Sequence, residues 1–210
     1  MLCLSVGKAT VEECLEIIKN SELSEIRLDL NIYHEEDIKR IFSSGANLIA
    51  TCREGKYNND ERKNIISKAI EFGAKYVDVE LTCDLSVKDQ VINVAKKSDC
   101  KVIISYHNHD KCPNKEHMKN IINRCFDSKA DIAKIVAKVN TSQDIMNIMS
   151  LYDTDKEIIA LGMGELGRIT RVAAPFFGAP FTYAYPKGMR RTAHGQFSEE
   201  KMRDIINLIS

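Results

Sequence analysis

One pattern recurs eight times along the chain. A short strand-like segment gives way to a segment with helical spacing of apolar residues. The strand segments are Leu2–Val6, Glu25–Leu30, Leu48–Arg53, Tyr76–Leu81, Lys101–His107, Ile132–Val139, Glu157–Met163 and Phe181–Tyr185. Between them, Val11, Cys14, Leu15 and Ile18 fall at i, i+3, i+4 and i+7, as do Met118, Ile121, Ile122 and Cys125, and Met202, Ile205, Ile206 and Ile209. That spacing gathers each set on one helix face, which is expected to face the core. Thr10 with Glu13 has the spacing of a capping box, and Ser86 with Asp89 and Thr141 with Asp144 repeat it more weakly. Eight strands, each followed by a helix, predict one (β/α)8 TIM barrel over residues 1–210. An open, doubly wound sheet is the alternative; the even spacing favours the barrel. At 210 residues the barrel must have lean loops. The longest, TYAYPKGMRRTAHGQFS, precedes the last helix and carries a turn signal at Pro186 to Gly188.

Thirty basic residues balance thirty acidic ones. A neutral chain lacks the cationic excess of a general nucleic-acid binder, though a locally basic pocket stays open. No apolar run is long enough to span a bilayer. The opening MLCLSVGKAT reads as the first strand rather than as a signal peptide. The seven cysteines are odd in number and include no CxxC pair. They read as reduced thiols in a cytoplasmic protein, not as disulfides or a thiolate metal cluster.

The strands carry more charge than barrel strands need. Side chains alternate between the two faces of a strand. In EIRLDL, Glu25, Arg27 and Asp29 share a face opposite Ile26, Leu28 and Leu30. In YVDVEL, Asp78 and Glu80 share one, LIATCRE ends on Arg53 and Glu54, and VIISYH carries Ser105 and His107 together. If the apolar faces meet the helices, these groups point into the barrel. There they must pair, because unpaired buried charge is costly. Such an interior suits a small, polar, anionic substrate.

DIAKIVAKVN places Lys134 and Lys138 in an otherwise apolar strand. A lysine stripped of water gives up its proton more readily, and the neutral amine can attack a ketone to form a Schiff base. A structural lysine paired with an inward carboxylate is the competing reading. Lys134 and Lys138 share a face, so alternation alone does not choose between them. His107 and His109 lie two apart and could form part of a metal site, but no motif among the five histidines supplies a third ligand. At the active face of a barrel, His107 also suits general acid–base chemistry.

Seven motifs stand in one order: EIRLDL, TCREGKYNNDER, YVDVEL, VIISYH, DIAKIV, GELGRITR and RTAHGQ. With them, essentially the whole chain resembles the type I 3-dehydroquinate dehydratases. That resemblance implies a (β/α)8 barrel, usually a homodimer, without metal or organic cofactor. It implies dehydration of 3-dehydroquinate to 3-dehydroshikimate by syn elimination, in the shikimate pathway. It points to Lys134 as the imine-forming lysine and to His107 as the general acid–base. Glu54 is implied as the carboxylate assisting that histidine, with Asp78 a second carboxylate behind it. Glu25 and Arg27 match the hydroxyl-binding pair, Arg53 the arginine ending the third strand, and Arg171 the partner of the substrate carboxylate. Gln196 matches the glutamine of a closing loop, Thr192 stands where relatives often have Ser, and Ser5 is a further candidate contact. His194 replaces a common Pro in that loop.

Three rivals share parts of this pattern. A class I aldolase would use Lys134 to break a carbon–carbon bond, but the Glu25 and Arg27 pair and the GQ loop argue against it. A metal-dependent hydrolase would use His107 and His109. A non-catalytic sugar-acid binder would keep the pocket without turnover.

Overall fold

A computed structural model describes residues 1–209. Eight parallel strands form one sheet: β1 (Leu2–Val6), β2 (Leu23–Arg27), β3 (Leu48–Thr51), β4 (Tyr76–Glu80), β5 (Lys101–Asn108), β6 (Ile132–Lys138), β7 (Ile158–Met163) and β8 (Thr182–Ala184). Their order is β7-β6-β5-β4-β3-β2-β1-β8, so each strand pairs with its sequence neighbour and β1 closes back onto β8. The sheet is a nearly closed barrel, with its seam between β7 and β8. Around it stand α1 (Val11–Lys19), α2 (Glu35–Phe42), α3 (Asn59–Glu71), α4 (Leu85–Lys97), α5 (Lys115–Asp127), α6 (Ser142–Met149), α7 (Arg168–Ala173) and α8 (Glu199–Ile209).

The expected barrel is therefore present, and the doubly wound alternative is not. Two apolar layers follow from strand alternation. Ile26, Ala50, Val77, Val79, Val102, Ile104, Ala133 and Ile135 face outward and pack with the helix stripes, among them Cys14, Ile18, Met118, Ile121 and Cys125. Cys3, Leu23, Ile49, Ile103, Ile132, Val136, Ile159, Leu161 and Phe181 fill the inside. The stripe of α8 is only partly covered: Met202 is buried, whereas Ile209 is 56% exposed.

Local chemistry sets the element ends. Thr10 and Glu13 close a capping box on α1, as do Thr141 and Asp144 on α6. Ser86 does not cap α4. Asp84 does, accepting bonds from the Ser86 backbone N–H at 2.8 Å and the Ser86 hydroxyl at 2.6 Å. The carboxylate two residues earlier takes the orphan Ser86 amide, and the serine hydroxyl becomes a second donor to it. The second strand also differs from expectation. It begins at Leu23 and ends at Arg27, and Leu28–Leu30 turn into a 3₁₀ helix. Asp29 thus leaves the alternating face and accepts from Arg27 Nε and Nη2 at 3.0 and 2.6 Å.

Candidate active site

The polar side chains converge at the C-terminal mouth of the barrel, around a cavity of about 340 Å³. Glu25, Arg27, Arg53, His107, Lys134, Arg171, Thr192 and Gln196 all line it, together with Glu54, Glu80, His109 and Tyr183. Asp78 lies just beneath, fully enclosed.

Lys134 is 5% exposed, whereas Lys138 emerges at the end of β6 into solvent. The two share a strand face, so their difference is one of depth: one lies within the barrel and the other beyond its rim. Lys134 Nζ donates to Asp78 Oδ2 at 2.9 Å and to the Tyr183 hydroxyl at 3.1 Å, and lies 3.8 Å from Glu25 Oε1. By register Lys134 on β6 stands level with Ser105 on β5 and Glu80 on β4, and its side chain reaches back to Asp78, two residues earlier on β4.

Asp78 is the hub. It accepts the Ser105 hydroxyl at 2.6 Å and pairs with Arg53 Nη2 at 2.9 Å. Burial alone would raise its pKa, but Arg53 and Lys134 outweigh it and hold the carboxyl well below the usual carboxylate range. Glu25 behaves likewise: burial opposes ionisation, and Lys134 and Arg27 hold its pKa down. Glu25 accepts from the Ser5 hydroxyl at 2.5 Å and the Thr51 hydroxyl at 3.0 Å. Ser5 in turn accepts from Thr192 at 2.8 Å, linking the final loop to the barrel wall.

His107 stands at the end of β5. Its pKa is pushed down to about 4, first by burial and further by Arg53 and Lys134, against an upward pull from Glu80. The imidazole is therefore neutral at pH 7 and able to accept a proton. The expected pairing with Glu54 is not what the structure contains. Glu54 is 57% exposed on its side chain and pairs with Arg62 at 3.2 Å. Arg62 is buried and also donates to the Cys52 carbonyl, so it anchors Glu54 toward α3. Glu80 takes the place by His107 instead, with Oε1 at 3.4 Å from Nδ1, within ion-pair reach but outside good hydrogen-bond geometry. Nor does Asp78 stand behind the histidine as a bonded partner; its bonds go to Lys134, Ser105 and Arg53. Glu80 was legible as an inward residue of YVDVEL, but nothing in the sequence linked it to His107. His109 stacks on His107 with ring centroids 6.3 Å apart. Among the described residues no three His, Cys, Asp or Glu side chains gather in a metal-binding group.

Arg171 differs from the other cations. It is 2% exposed, and its Nε and Nη2 have no hydrogen-bond partner among the described residues. Desolvation pulls its pKa down to about 10. A buried guanidinium without a counter-ion is expensive, and its fork geometry suits a carboxylate. It sits on α7, beside the β7–β8 seam, where Thr182 donates to its carbonyl at 2.7 Å.

The last loop folds over this mouth. Gln196 Oε1 accepts from the backbone N–H of Thr192 at 2.9 Å and of Ala193 at 3.0 Å. Gly195, at φ +86°, brings the loop against the turn after β7; a Cβ there would meet the Gly164 carbonyl oxygen at 2.7 Å.

The model of the type I 3-dehydroquinase family matches residues 2–210. The chain belongs to that family. Membership makes it a hydro-lyase. The chain is 35% identical to the 3-dehydroquinate dehydratase of Methanocaldococcus jannaschii, over 100% of its own length and 99% of that protein. It is 31% identical to the Pyrococcus abyssi protein of the same name, over 100% and 98%. Among solved folds, the type I 3-dehydroquinate dehydratase of Clostridium difficile superposes with a TM-score of 0.85 at 24% identity, covering 99% of this chain and 91% of that one. The Geobacillus kaustophilus 3-dehydroquinate dehydratase gives 0.86 at 23%, covering 99% and 90%. These two likenesses bear on the barrel alone.

Proposed function

We propose that the chain dehydrates 3-dehydroquinate to 3-dehydroshikimate by syn elimination through a Schiff base on Lys134, the third step toward chorismate and the aromatic amino acids. One juxtaposition carries this reading: a buried amine and a buried guanidinium, the latter without a counter-ion among the described residues, open onto the same small cavity. A ketone can meet the first while a carboxylate neutralises the second.

In this mechanism the Lys134 amine adds to the substrate ketone and water leaves, forming an imine. The protonated imine draws electrons from the adjacent carbon and acidifies its C2 proton. His107, neutral at pH 7, takes that proton. The resulting imidazolium returns it to the C1 hydroxyl, which departs as water from the same face. Glu80 stabilises the imidazolium during the interval, a service that an anion 3.4 Å away can perform. Asp78 and Arg53 keep the lysine end of the site fixed, and Arg171 orients the substrate by its carboxylate. Glu25 and Arg27 receive ring hydroxyls, and Thr192 and Gln196 cover the bound substrate.

The same reading includes a homodimer in the cytoplasm. Seven free thiols are in keeping with a reducing compartment. No helix among the described residues is long and apolar enough to cross a membrane.

The test is borohydride trapping. Protein mixed with 3-dehydroquinate, reduced, digested and mapped by mass spectrometry is expected to carry the adduct on Lys134. Bound substrate without any adduct would remove the imine from the mechanism.

A further inference from the structure

Asp78, Glu80, Ser105, His107 and Lys134 all stand on strand residues that the sheet itself pairs. Asp78 is level with Ile103, Glu80 with Ser105, His107 with Val136 and Lys134 with Ile159. The ladder therefore sets the direction of each side chain. Arg53 is the exception. β3 ends at Thr51, whose pairings with Arg27 and Asp78 are the last of that strand. Arg53 stands two residues further on, yet its guanidinium must meet three groups at once. Nη2 pairs with Asp78 Oδ1 at 2.9 Å, Nη1 donates to the Ser105 hydroxyl at 3.0 Å, and Nη1 lies 3.7 Å from Glu80 Oε1. Arg53 thus touches both the acid that holds Lys134 and the acid beside His107.

A second arginine fixes the chain there. Arg62, near the start of α3, is 2% exposed. Its Nε and Nη2 both donate to the Cys52 carbonyl, each at 3.3 Å, and its Nη1 donates to Glu54 Oε1 at 3.2 Å. The fork grips the chain immediately before and immediately after Arg53. The helix itself has no need of a cation at this place. Asn58 and Glu61 already close its capping box, and a positive charge near a helix N-terminus opposes the helix dipole. Burying a guanidinium adds a desolvation cost, which the exposed Glu54 carboxylate offsets only in part.

We propose that Arg62 is a positioning residue for the dehydration: by holding the Cys52 carbonyl it aims Arg53 at Asp78 and Glu80, and so keeps the Lys134 and His107 ends of the site aligned. The inference rests on the elimination reading above and deepens it. His107 reports on the aim of Arg53. Glu80 and Asp78 face the imidazole from β4, Lys134 from β6, Arg53 from beyond β3, and His109 stacks on it from just past its own strand. Arg53 pulls the imidazole pKa down and Glu80 pulls it up. When Arg53 loosens, the first influence fades and Glu80 acts unopposed, so the pKa rises from about 4 toward its ordinary value.

The experiment is NMR titration of His107 in the ligand-free enzyme, joined to steady-state kinetics with 3-dehydroquinate, for the wild type, Arg62→Met and Arg62→Lys. The His107 signals are assigned by their loss in His107→Gln. Arg62→Met is expected to titrate about one pH unit higher at His107 and to lose about 10- to 100-fold in kcat, as for a misaligned group, with KM changed less. Arg62→Lys keeps the charge but not the two-nitrogen grip on one carbonyl, so it should fall between the two. A purely structural role would lower the melting temperature and leave the folded variants with wild-type titration and kcat; either one unmoved overturns the proposal. If circular dichroism shows Arg62→Met unfolded, Arg62→Lys decides alone: a raised His107 pKa supports the positioning role and an unmoved one rejects it. A wild type that binds 3-dehydroquinate without dehydrating it overturns the elimination reading instead. The titration, made without substrate, still decides whether Arg62 aims Arg53.

Discussion

Lys134 Nζ lies 2.9 Å from Asp78 Oδ2, a pair joining β6 to β4 across the interior of the barrel. Both groups are buried, so each is tolerable only because of the other and of Arg53. Lys134→Ala is expected to abolish turnover, by more than about 10⁴-fold, because no other amine in the site can take the nucleophile's place. The fold should persist, since Asp78 keeps Arg53 and Ser105. Steady-state kinetics with a thermal melt check both halves, and a fully active variant would sink the mechanism.

Arg171 tests the opposite situation. Its guanidinium is buried with Nε and Nη2 unpartnered among the described residues, so the folded protein carries an uncompensated desolvation cost. Arg171→Met should raise the melting temperature while lowering kcat/KM by about 100-fold or more, a loss of roughly 3 kcal/mol of transition-state binding. A destabilised variant, or one with normal kcat/KM, would contradict this account of the site.

The neighbour of His107 can be read by NMR titration. Glu80 pulls the imidazole pKa upward against burial. Glu80→Gln should therefore drive it below about 4, and Glu54→Gln should leave it in place because Glu54 is bound to Arg62. The reverse pattern would return the assisting role to Glu54.

Acid stability has a defined sign. His107 has its pKa at about 4 in the fold against 6.5 for a free histidine. The unfolded chain therefore binds the proton more readily between those values. The stability contributed by the neutral imidazole is complete above pH 6.5 and is lost as pH falls toward 4. The slope from this one group is at most about 1.4 kcal/mol per pH unit. Asp78 and Glu25, also depressed in the fold, extend the loss below their free values of 3.8 and 4.5. Denaturant melts of wild type and His107→Gln should diverge in the upper window and run parallel below pH 4.

The final loop is held by its own glutamine. Gln196→Ala removes the acceptor for two backbone amides, at Thr192 and Ala193. Hydrogen exchange at both should accelerate. The Michaelis constant should rise, while kcat survives where Lys134→Ala loses it. Unchanged exchange would mean that the loop is held by its contact with Gly164 instead.

The barrel was legible because its cause is periodic. Every second strand residue and every third or fourth helix residue must be apolar for both layers to close, and that pattern lies in the chain itself. The inward polar groups of Glu25, Asp78, Ser105 and Lys134 followed from the same alternation. Alternation fails where strands end, as at Asp29, which the turn after Arg27 takes out of register with the face it was expected to share. It is also blind to depth, so Lys134 and Lys138 look alike until the barrel rim separates them. Which acid meets His107, which cation is left unpaired, and which hydroxyl reaches Nζ depend on side chains from β4, α7 and β8 arriving at one point. Those distances come from barrel closure and from competing partners such as Arg62 for Glu54, and no local spacing encodes them. The sequence determined the architecture and most of the cast; the tertiary structure alone decided who faces whom, because ion pairing and desolvation act through space rather than along the chain.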